Sequence, residues 1–356
     1  MKKFISAILA ASVVFGGAVP IAVNPQNYVI SASAADTYTE GTYGNLTYRN
    51  YGDYIEIIDC DYLAEKAVIP SEIDGVPVAS IYGYAFAHCQ KLTSVTIPDS
   101  VIIINEGAFA WCESLTSIKI PNSVTIIREF AFGECTSLTS INIPNSVISI
   151  EEGAFADCTS LTSINIPDSV ISFGAGAFSN CTALTSAVIS DSMTSIVPGM
   201  FTKCAGLTFV SIPNSITRIG EGAFYSCTSL PYVIIPEGVT SIGEGAFYGF
   251  TGTMYGFEGS YAQTYAEENG FKFSAIGMLG DVDGDGAVNS SDASLVLREY
   301  ALTSTGEAPT FSEKEKITAD VNGDKAVDSS DASTILAYYA YTATGGTDSL
   351  AEFMKK

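Results

Sequence analysis

The chain is poor in the residues that charge-based and histidine-based chemistry requires. Among 356 residues it has one histidine, one tryptophan, and 16 lysines and arginines against 39 aspartates and glutamates, for a net charge of −23. Nucleic acids and anionic membrane surfaces bind basic patches, so this balance argues against both as partners. Only 15% of the residues are charged and 47% are hydrophobic, which excludes a chain that is disordered throughout.

The groups that an active site needs are also scarce. The single histidine, His88, occupies a repeat position that other copies fill with Trp111 or Lys203, so the residue type is interchangeable there. No glycine-rich phosphate loop follows a strand pattern. Glu151 and Glu152 are adjacent acids on a turn, which is typical of a solvated surface rather than of an acid–base pair. We therefore predict that the chain is not an enzyme.

Apart from its N-terminus, the sequence has no stretch long and apolar enough to span a bilayer. A lysine pair, the apolar segment 4–23 and a small-residue site at 32–34 are together typical of a secretory signal peptide, which we place at residues 1–34. The alternative is a membrane anchor, against which two glycines and a proline in the apolar segment argue. We expect a secreted, extracellular protein with no membrane span after cleavage.

The main positive feature is a 23-residue repeat. A phenylalanine, preceded by alanine except at Met200, recurs without insertion or deletion at Phe86, Phe109, Phe132, Phe155, Phe178, Phe201, Phe224 and Phe247. Such a period is typical of solenoids. In the unit that starts at Leu138, apolar and polar residues alternate up to Pro144, which predicts a short strand. Stacked units bury a continuous core and add their strands into a parallel β-sheet.

Seven of the eight cysteines occupy one position of this repeat, and Cys60 lies upstream. The eighth unit has Phe250 there, so we interpret the position as apolar and predict buried, reduced thiols. Units one strand spacing apart, about 4.8 Å, are also close enough for disulfides, with Cys60 as a partner for the odd cysteine. The linear row of thiols argues against a metal site.

A longer signature, Ile-Pro-x-x-Val-x-x-Ile-x-x-x-Ala-Phe-x-x-Cys, stands at 120–135, at 143–158 and, with Ile216 for valine, at 212–227. It resembles the BspA-like leucine-rich repeat family, and the segments 69–78 and from 255 onward are similar to that family's caps. The resemblance implies a β-rich leucine-rich-repeat solenoid of 23-residue coils, which we assign to residues 35–277. It also implies binding of a protein or a glycan, without naming the ligand.

The outward strand positions form the candidate ligand face of the solenoid. They are small and polar in the first four units, whereas the last three units bring together the apolar residues Val188, Phe209, Tyr232 and Ile234. Exposed apolar clusters mark contact surfaces. The alternative is that a cap or the following domain covers this patch.

A second, twofold repeat near the C-terminus has the pattern of calcium loops. In each twelve-residue loop, oxygen ligands fall at positions 1, 3, 5, 7, 9 and 12, and the position-7 ligand is a backbone carbonyl. We predict two calcium ions, ligated by Asp281, Asp283, Asp285, Ala287, Asn289 and Asp292 in the first loop and by Asp320, Asn322, Asp324, Ala326, Asp328 and Asp331 in the second.

The two loops differ at position 6, where a sharp turn favours glycine. The first loop has Gly286 there, whereas the second has Lys325, for which a left-handed conformation costs roughly 1–2 kcal/mol. We therefore predict that the second site is the weaker one. The alternative, two ordinary Asp/Gly turns, does not account for the matched apolar helical segments that follow both loops.

Two features distinguish these loops from EF-hands: aspartate at position 12, and the absence of a clear helix before Asp281. In both respects the segment of about residues 279–345 resembles the dockerin module of cellulosomes. The resemblance implies a small all-α domain that binds a cohesin of a scaffoldin. It also implies that the residues that contact the cohesin are Ser290, Ser291, Leu297 and Arg298 in the first copy and Ser329, Ser330, Leu336 and Ala337 in the second. Arg298 against Ala337 breaks the symmetry of the two halves, which puts dual-orientation docking in doubt.

We therefore expect a solenoid, a dockerin at residues 278–345 and a loose tail at 346–356. The predicted function is a secreted, non-catalytic component of a cellulosome-type complex, tethered through the scaffoldin. Its repeat arm would bind a protein or a carbohydrate in support of plant polysaccharide breakdown. An adhesin that uses the solenoid on a host or neighbouring cell is the alternative, and a regulator of co-assembled enzymes is a third hypothesis without residue-level support.

Overall fold

The computed structural model describes residues 37–323 and 326–354. The predicted signal peptide lies outside the described residues. No helix in the described part of the chain is long and apolar enough to cross a membrane.

The described part of the chain begins with short strands that cap the solenoid. In order they are β1 (Thr39–Tyr43), β2 (Leu46–Asn50), β3 (Ile55–Cys60), β4 (Lys66–Val68), β5 (Glu72–Ile73) and β6 (Val76–Ile81). Strands β1, β2 and β3 pair antiparallel, as do β5 and β6, and β3 then pairs parallel with β6. The antiparallel meander therefore covers the first parallel edge, which would otherwise be open to another chain.

Each repeat unit then contributes two strands rather than the single strand that the sequence predicted. In chain order they are β7 (Ser94–Thr96), β8 (Ile103–Ile104), β9 (Ser117–Lys119), β10 (Ile126–Ile127), β11 (Ser140–Asn142), β12 (Ser149–Ile150), β13 (Ser163–Asn165), β14 (Ser172–Phe173), β15 (Ser186–Val188), β16 (Ser195–Ile196), β17 (Phe209–Ser211), β18 (Arg218–Ile219), β19 (Tyr232–Ile234) and β20 (Ser241–Ile242).

The two strands of a unit lie on two faces of the coil. The three-residue strands form one parallel face, and the two-residue strands form another, which continues from β6 through β14. Pairing is in register from unit to unit, for example Ile141 with Ile118 and Ile150 with Ile127. On most three-residue strands only the middle side chain is buried, so the two flanking side chains point outward. The predicted parallel solenoid of 23-residue coils is confirmed.

A ladder of stacked phenylalanines fills the core. All eight repeat phenylalanines are fully buried. The rings of Phe132 and Phe155 are 5.4 Å apart between centroids and 3° from parallel, and the other steps range from 4.8 to 5.8 Å and from 4° to 24°. Offset aromatic stacks of this kind add stability beyond their buried area. One ring per coil, at a constant spacing, holds each unit at the same rotation as its neighbours.

The cysteines form a second ladder beside the rings. All eight are free and buried. In six coils the thiol donates to the phenylalanine carbonyl oxygen of the preceding coil, as Cys158 does to Phe132 at 3.2 Å. Burial raises the pKa of the Cys135 thiol to about 12, so that thiol keeps its proton. The sequence indicated only that this position is apolar. The structure shows that its thiol also donates a hydrogen bond to a buried carbonyl oxygen.

The third side of each coil is a run of turns, which we call the turn edge. In the fourth unit it spans residues 152–157 and is joined to the preceding coil by a backbone hydrogen bond from Phe132 to Ala154. Its second position takes a left-handed conformation and is glycine in six units, as at Gly153. Tyr84 and Phe130 are the exceptions, with φ of 62° and 51°, and this conformation costs a non-glycine residue roughly 1–2 kcal/mol.

The solenoid ends in a β–α–β cap made of β21 (Thr253–Phe257), α1 (Tyr261–Asn269) and β22 (Lys272–Ile276). Ser260 caps the start of α1, and Gly270, with φ of 72°, ends it. Tyr265 packs edge-on against Phe247 with ring centroids 6.2 Å apart. The cap therefore shields the last ring of the phenylalanine ladder from water.

Residues 278–354 form a C-terminal helical unit with α2 (Ser290–Ser304), α3 (Glu313–Ala319), α4 (Ser329–Ala343) and α5 (Leu350–Phe353). Helices α2 and α4 have equal length and each begins with a capping box, at Asn289 and at Asp328. A separate apolar core includes Val296, Phe311 and Ile335. Helix α3 was not predicted from the sequence, although Ser312 and Glu315 form a capping box, a pattern that indicates the start of a helix.

Two segments that the sequence left irregular are attached to this unit. Glu299 is buried and accepts hydrogen bonds from the backbone N–H groups of Thr310 and Phe311, which ties the connector between the halves to α2. The tail that we expected to be loose carries α5, whose Leu350 is buried in the apolar core. Tyr338 donates to the carbonyl oxygen of Asp348. This segment thus belongs to the helical unit, because Leu350, Phe353 and Met354 pack in its apolar core.

Truncation of one ladder ring tests how far the stack determines stability. We expect Phe155→Ala to lower the free energy of unfolding by about 3–5 kcal/mol, since it leaves a cavity between two stacked rings. The measurement is chemical denaturation of the full chain. Ile171→Ala is the matched control, because Ile171 is 59% exposed and should change stability by less than about 0.5 kcal/mol. Equal effects of the two substitutions would contradict the role of the ladder.

Candidate functional site: calcium loops and docking face

The first loop gathers three carboxylates around one point. Asp281, Asp283 and Asp285 each present a carboxylate oxygen, and these atoms all lie within 4.8 Å of one another. Asp281 is buried, and its Oδ1 accepts no hydrogen bond, while its Oδ2 accepts from the N–H of Gly286 at 3.0 Å. A buried carboxylate oxygen without a donor is costly unless a cation binds it. This donor set of hard oxygens therefore fits calcium.

Asp292, at position 12, joins the start of the loop to the start of the helix. It is fully buried; its Oδ1 accepts from the N–H groups of Val282 at 2.8 Å and Asp283 at 3.2 Å, and its Oδ2 accepts from Asn289 at 2.8 Å. Burial raises the pKa of this carboxyl, and a neighbouring cation would favour its charged form. Asp292 thus closes the loop whether or not it also touches the ion.

The remaining predicted ligands of the first loop serve the backbone as well. The side-chain oxygen of Asn289 accepts from the N–H of Ser291 at 2.7 Å and so caps α2. Its amide donates to the carbonyl oxygen of Ala287 at 3.2 Å, the carbonyl predicted as the position-7 ligand. The two oxygens predicted as ligands, Oδ1 of Asn289 and the carbonyl oxygen of Ala287, therefore each already accept a hydrogen bond within the loop.

The second loop repeats this frame. Asp331 is fully buried and accepts from the backbone N–H groups of Val321 and Asp328, each at 3.0 Å. Asp328 caps α4 through the N–H of Ser330 at 2.6 Å. Asp320 is half-buried, and Asn322 and Ala326 are exposed. The predicted ligand Asp324 and the adjacent Lys325 lie outside the described residues, so the predicted difference between the two sites stays a prediction.

The predicted docking residues form an exposed face at the start and middle of α2 and α4. All eight are exposed, namely Ser290, Ser291, Leu297, Arg298, Ser329, Ser330, Leu336 and Ala337. Leu297 and Leu336 are each 42% exposed, so two equivalent apolar side chains face solvent on the two helices. The two halves thus present matched surfaces that differ at Arg298 and Ala337.

Hydrogen bonds connect this face to the loops. Ser291 donates from its hydroxyl to Oδ2 of Asp283 at 2.8 Å. In the second half, the amide of Asn322 donates to the hydroxyl of Ser330 at 2.7 Å. Position 3 of each loop therefore contacts position 11, a predicted recognition residue. A cation that draws Asp283 or Asn322 inward would also set the position of the adjacent serine.

The predicted ligand patch of the solenoid lies on β15, β17 and β19. Val188 is 37% exposed, and Phe209, Tyr232 and Ile234 are half-buried. The four residues line one wall of a cleft whose opposite wall belongs to the C-terminal helical unit. The patch is therefore neither fully exposed nor fully buried, and its role as a ligand face stays a prediction.

Comparison with known proteins agrees with this architecture. Residues 79–208 and 194–276 match the family described as BspA type Leucine rich repeat region, in six copies, and residues 279–338 match the Dockerin type I domain. No curated protein matches the chain. Both families that the sequence motifs indicated are thereby confirmed.

Among solved structures, a leucine-rich repeat protein from Bacteroides ovatus ATCC 8483 is 25% identical with a TM-score of 0.50, over 69% of this chain and 67% of that chain. The T. pallidum leucine rich repeat protein TpLRR is 31% identical with a TM-score of 0.49, over 56% of this chain and 91% of that chain.

The acidic pair that forms on the solenoid is Glu151 with Glu129 of the preceding coil, and not Glu151 with its sequence neighbour Glu152. Glu152 is exposed, whereas Glu151 is half-buried next to Glu129 of the preceding coil. Burial and a hydrogen bond shared with Glu129 raise the pKa of Glu151 to about 7, and that same hydrogen bond lowers the pKa of Glu129. Nη1 of Arg128 lies 3.7 Å from Oε1 of Glu151. Such opposite pKa shifts are those of two carboxyls that share one proton, here across the coil interface.

This pair predicts a pH dependence of solenoid stability. The folded pKa of Glu151 exceeds its unfolded value, so its stabilising contribution is complete below about pH 4.5 and is lost as the pH rises to about 7. We expect Glu151→Gln, which stays neutral, to flatten the fall in melting temperature between pH 5 and pH 8. Glu152→Gln removes the same charge from an exposed site and should keep the wild-type slope. Identical slopes for both variants would contradict the shared proton.

Proposed function

Because this chain belongs to the BspA type leucine rich repeat family and carries a dockerin type I domain, we propose that it is a secreted, non-catalytic component of a cellulosome-type complex. Dockerin type I domains bind calcium and dock onto cohesins, and leucine-rich repeats bind proteins. In the proposed function, the dockerin attaches the chain to a scaffoldin cohesin. The repeat arm then holds a protein or a carbohydrate near the complex in support of plant polysaccharide breakdown.

The observation that carries the proposal is the exposed face of α2 and α4. Its eight residues lie next to two loops whose described residues make equivalent hydrogen bonds, and Ser291 and Ser330 are hydrogen-bonded to loop residues. Removal of the ion would release Asp283 and Asn322 and with them the serines of the face. Calcium therefore acts as a structural cofactor: it prepares the surface that the cohesin recognises and takes no part in catalysis.

The docking mode follows from the two unequal halves. Leu297 and Leu336 supply the same apolar contact in either orientation, whereas Arg298 offers a charge that Ala337 does not. A cohesin with an acidic residue opposite this position would favour the first half, because the charge pair forms in one orientation only. We propose a preferred docking orientation through α2.

Calcium titration tests the two sites. We expect two ions per chain by calorimetry after chelator treatment, with the second loop the weaker, because Lys325 replaces the glycine of position 6. Asp320→Ala should remove the weak event and Asp281→Ala the tight one. The exposed Asp53, far from both loops in sequence, supplies the control Asp53→Ala, which should retain both events. A single ion per chain, or two equal affinities, would overturn this assignment.

Capture of a cohesin tests the docking face. The full chain, immobilised, should retain a cohesin-bearing scaffoldin from the secreted fraction in calcium and release it in chelator. Leu297→Ala with Leu336→Ala should weaken retention at least about tenfold, the effect of losing a central apolar contact. Tyr300→Ala with Tyr339→Ala truncates equivalent exposed residues of the same helices outside the predicted face and serves as the control. Absence of any calcium-dependent partner would exclude docking and favour the adhesin.

A further inference from the structure

The turn edge of the solenoid contains a trough that is separate from the docking face of α2 and α4. It is also separate from the apolar patch on β15, β17 and β19, which we call the strand-face patch. It runs from the third to the seventh unit and is lined by Phe130 and Glu152 at one end, by Gly176 and Gly199 along its floor, and by Glu221 and Tyr225 at the other end. It spans four coil steps, about 19 Å. The trough is therefore long enough for an extended ligand rather than for a single small molecule.

Aromatic rings bound the trough at both ends. Phe130 is 42% exposed, and its ring lies over Gly153, where a Cβ atom would come within 2.3 Å of it. Tyr225 is stacked on Tyr248 with centroids 4.8 Å apart and planes 11° from parallel, and both rings are exposed. Each end thus offers an exposed aromatic surface held in place by the coil beneath or beside it.

The backbone of Phe130 is strained at the position that places its ring in the trough. Its position in the coil takes a left-handed conformation that six other units fill with glycine, and Phe130 adopts φ of 51°. The coil would be more relaxed with glycine, so folding alone does not account for a large apolar side chain that remains exposed to solvent. Strained residues of this kind are concentrated at functional sites.

The charges around the trough limit the class of ligand. Glu152 and Glu221 are exposed at its two ends, and no lysine, arginine or histidine is among the residues that line it. Phosphates, nucleic acids and acidic polysaccharides would be repelled by these carboxylates. Carboxylates accept hydrogen bonds from hydroxyl groups, and aromatic faces pack against the C–H face of a sugar ring.

We propose that this trough binds a neutral oligosaccharide, with Phe130 and Tyr225 packing against sugar rings and Glu152 and Glu221 accepting hydrogen bonds from sugar hydroxyls. The proposal deepens the proposed function, because it assigns a ligand class and a location to the repeat arm. It does not depend on docking, since the trough lies on the solenoid and the residues of α2 and α4 take no part in it.

Affinity electrophoresis of the full chain in gels containing soluble neutral β-glucan, xylan or mannan tests the proposal, with polygalacturonate as the acidic comparison. We expect retardation by at least one neutral polymer and none by polygalacturonate. Phe130→Gly restores the residue that the repeat favours, so that the variant should fold at least as stably while binding falls at least tenfold. Tyr225→Ala should weaken binding to a similar extent.

Tyr84→Gly is the matched control. Tyr84 occupies the same repeat position, has φ of 62° and is 47% exposed, but it lies outside the trough. Its replacement should leave retardation within twofold of the wild type. Retardation should also persist in 0.5 M NaCl, because a neutral ligand makes no ion pairs that salt can screen.

Several outcomes would overturn the assignment. They are no retardation by any neutral polymer, retardation that Phe130→Gly and Tyr225→Ala leave unchanged, and retardation that is lost in high salt. Loss on Phe209→Ser with Tyr232→Ser alone would place glycan binding on the strand face instead. None of these results changes cohesin capture, so failure of the trough and failure of docking are distinguishable.

Discussion

The solenoid depends on one constraint, the in-register stacking of coils at a constant spacing. Each phenylalanine ring of the ladder lies nearly parallel to the next, as for Phe132 and Phe155, and each coil donates backbone hydrogen bonds to its neighbour on every side. From Phe86 to Phe247 the strict 23-residue period places the same positions of every coil in the core. Both caps exist because the first and last coils each lack one neighbour.

That constraint also decides where the surface can vary. Inward positions are occupied by the same few residue types in every coil, whereas outward columns and the turn edge are free to change. Departures from the repeat are therefore informative. The apolar residues of the strand-face patch replace small polar ones, and Phe130 replaces a glycine that its backbone conformation favours. Specific recognition on a repetitive scaffold must come from such departures.

The C-terminal unit works by a different principle, in which a buried carboxylate organises a short loop. Asp292 and Asp331 each accept hydrogen bonds from backbone N–H groups at both ends of their loop and also stand in the first turn of a helix. The loop, the helix start and the exposed recognition face are therefore one structural unit in each half. In the proposed function an ion would control docking, because Asp283 and Asn322 of the loops are hydrogen-bonded to Ser291 and Ser330 of the face.

The sequence by itself determined the period, the buried ladder and the paired loops of the calcium-binding pattern, because each rests on spacing along one coil or one loop. Tertiary structure alone decided the second strand of each coil, the thiol hydrogen bonds, the pairing of Glu129 with Glu151 and the trough between Phe130 and Tyr225. These features join residues about one coil or more apart, so they depend on how coils align in space. The same holds for Leu350, whose burial requires the assembled core of the helical unit.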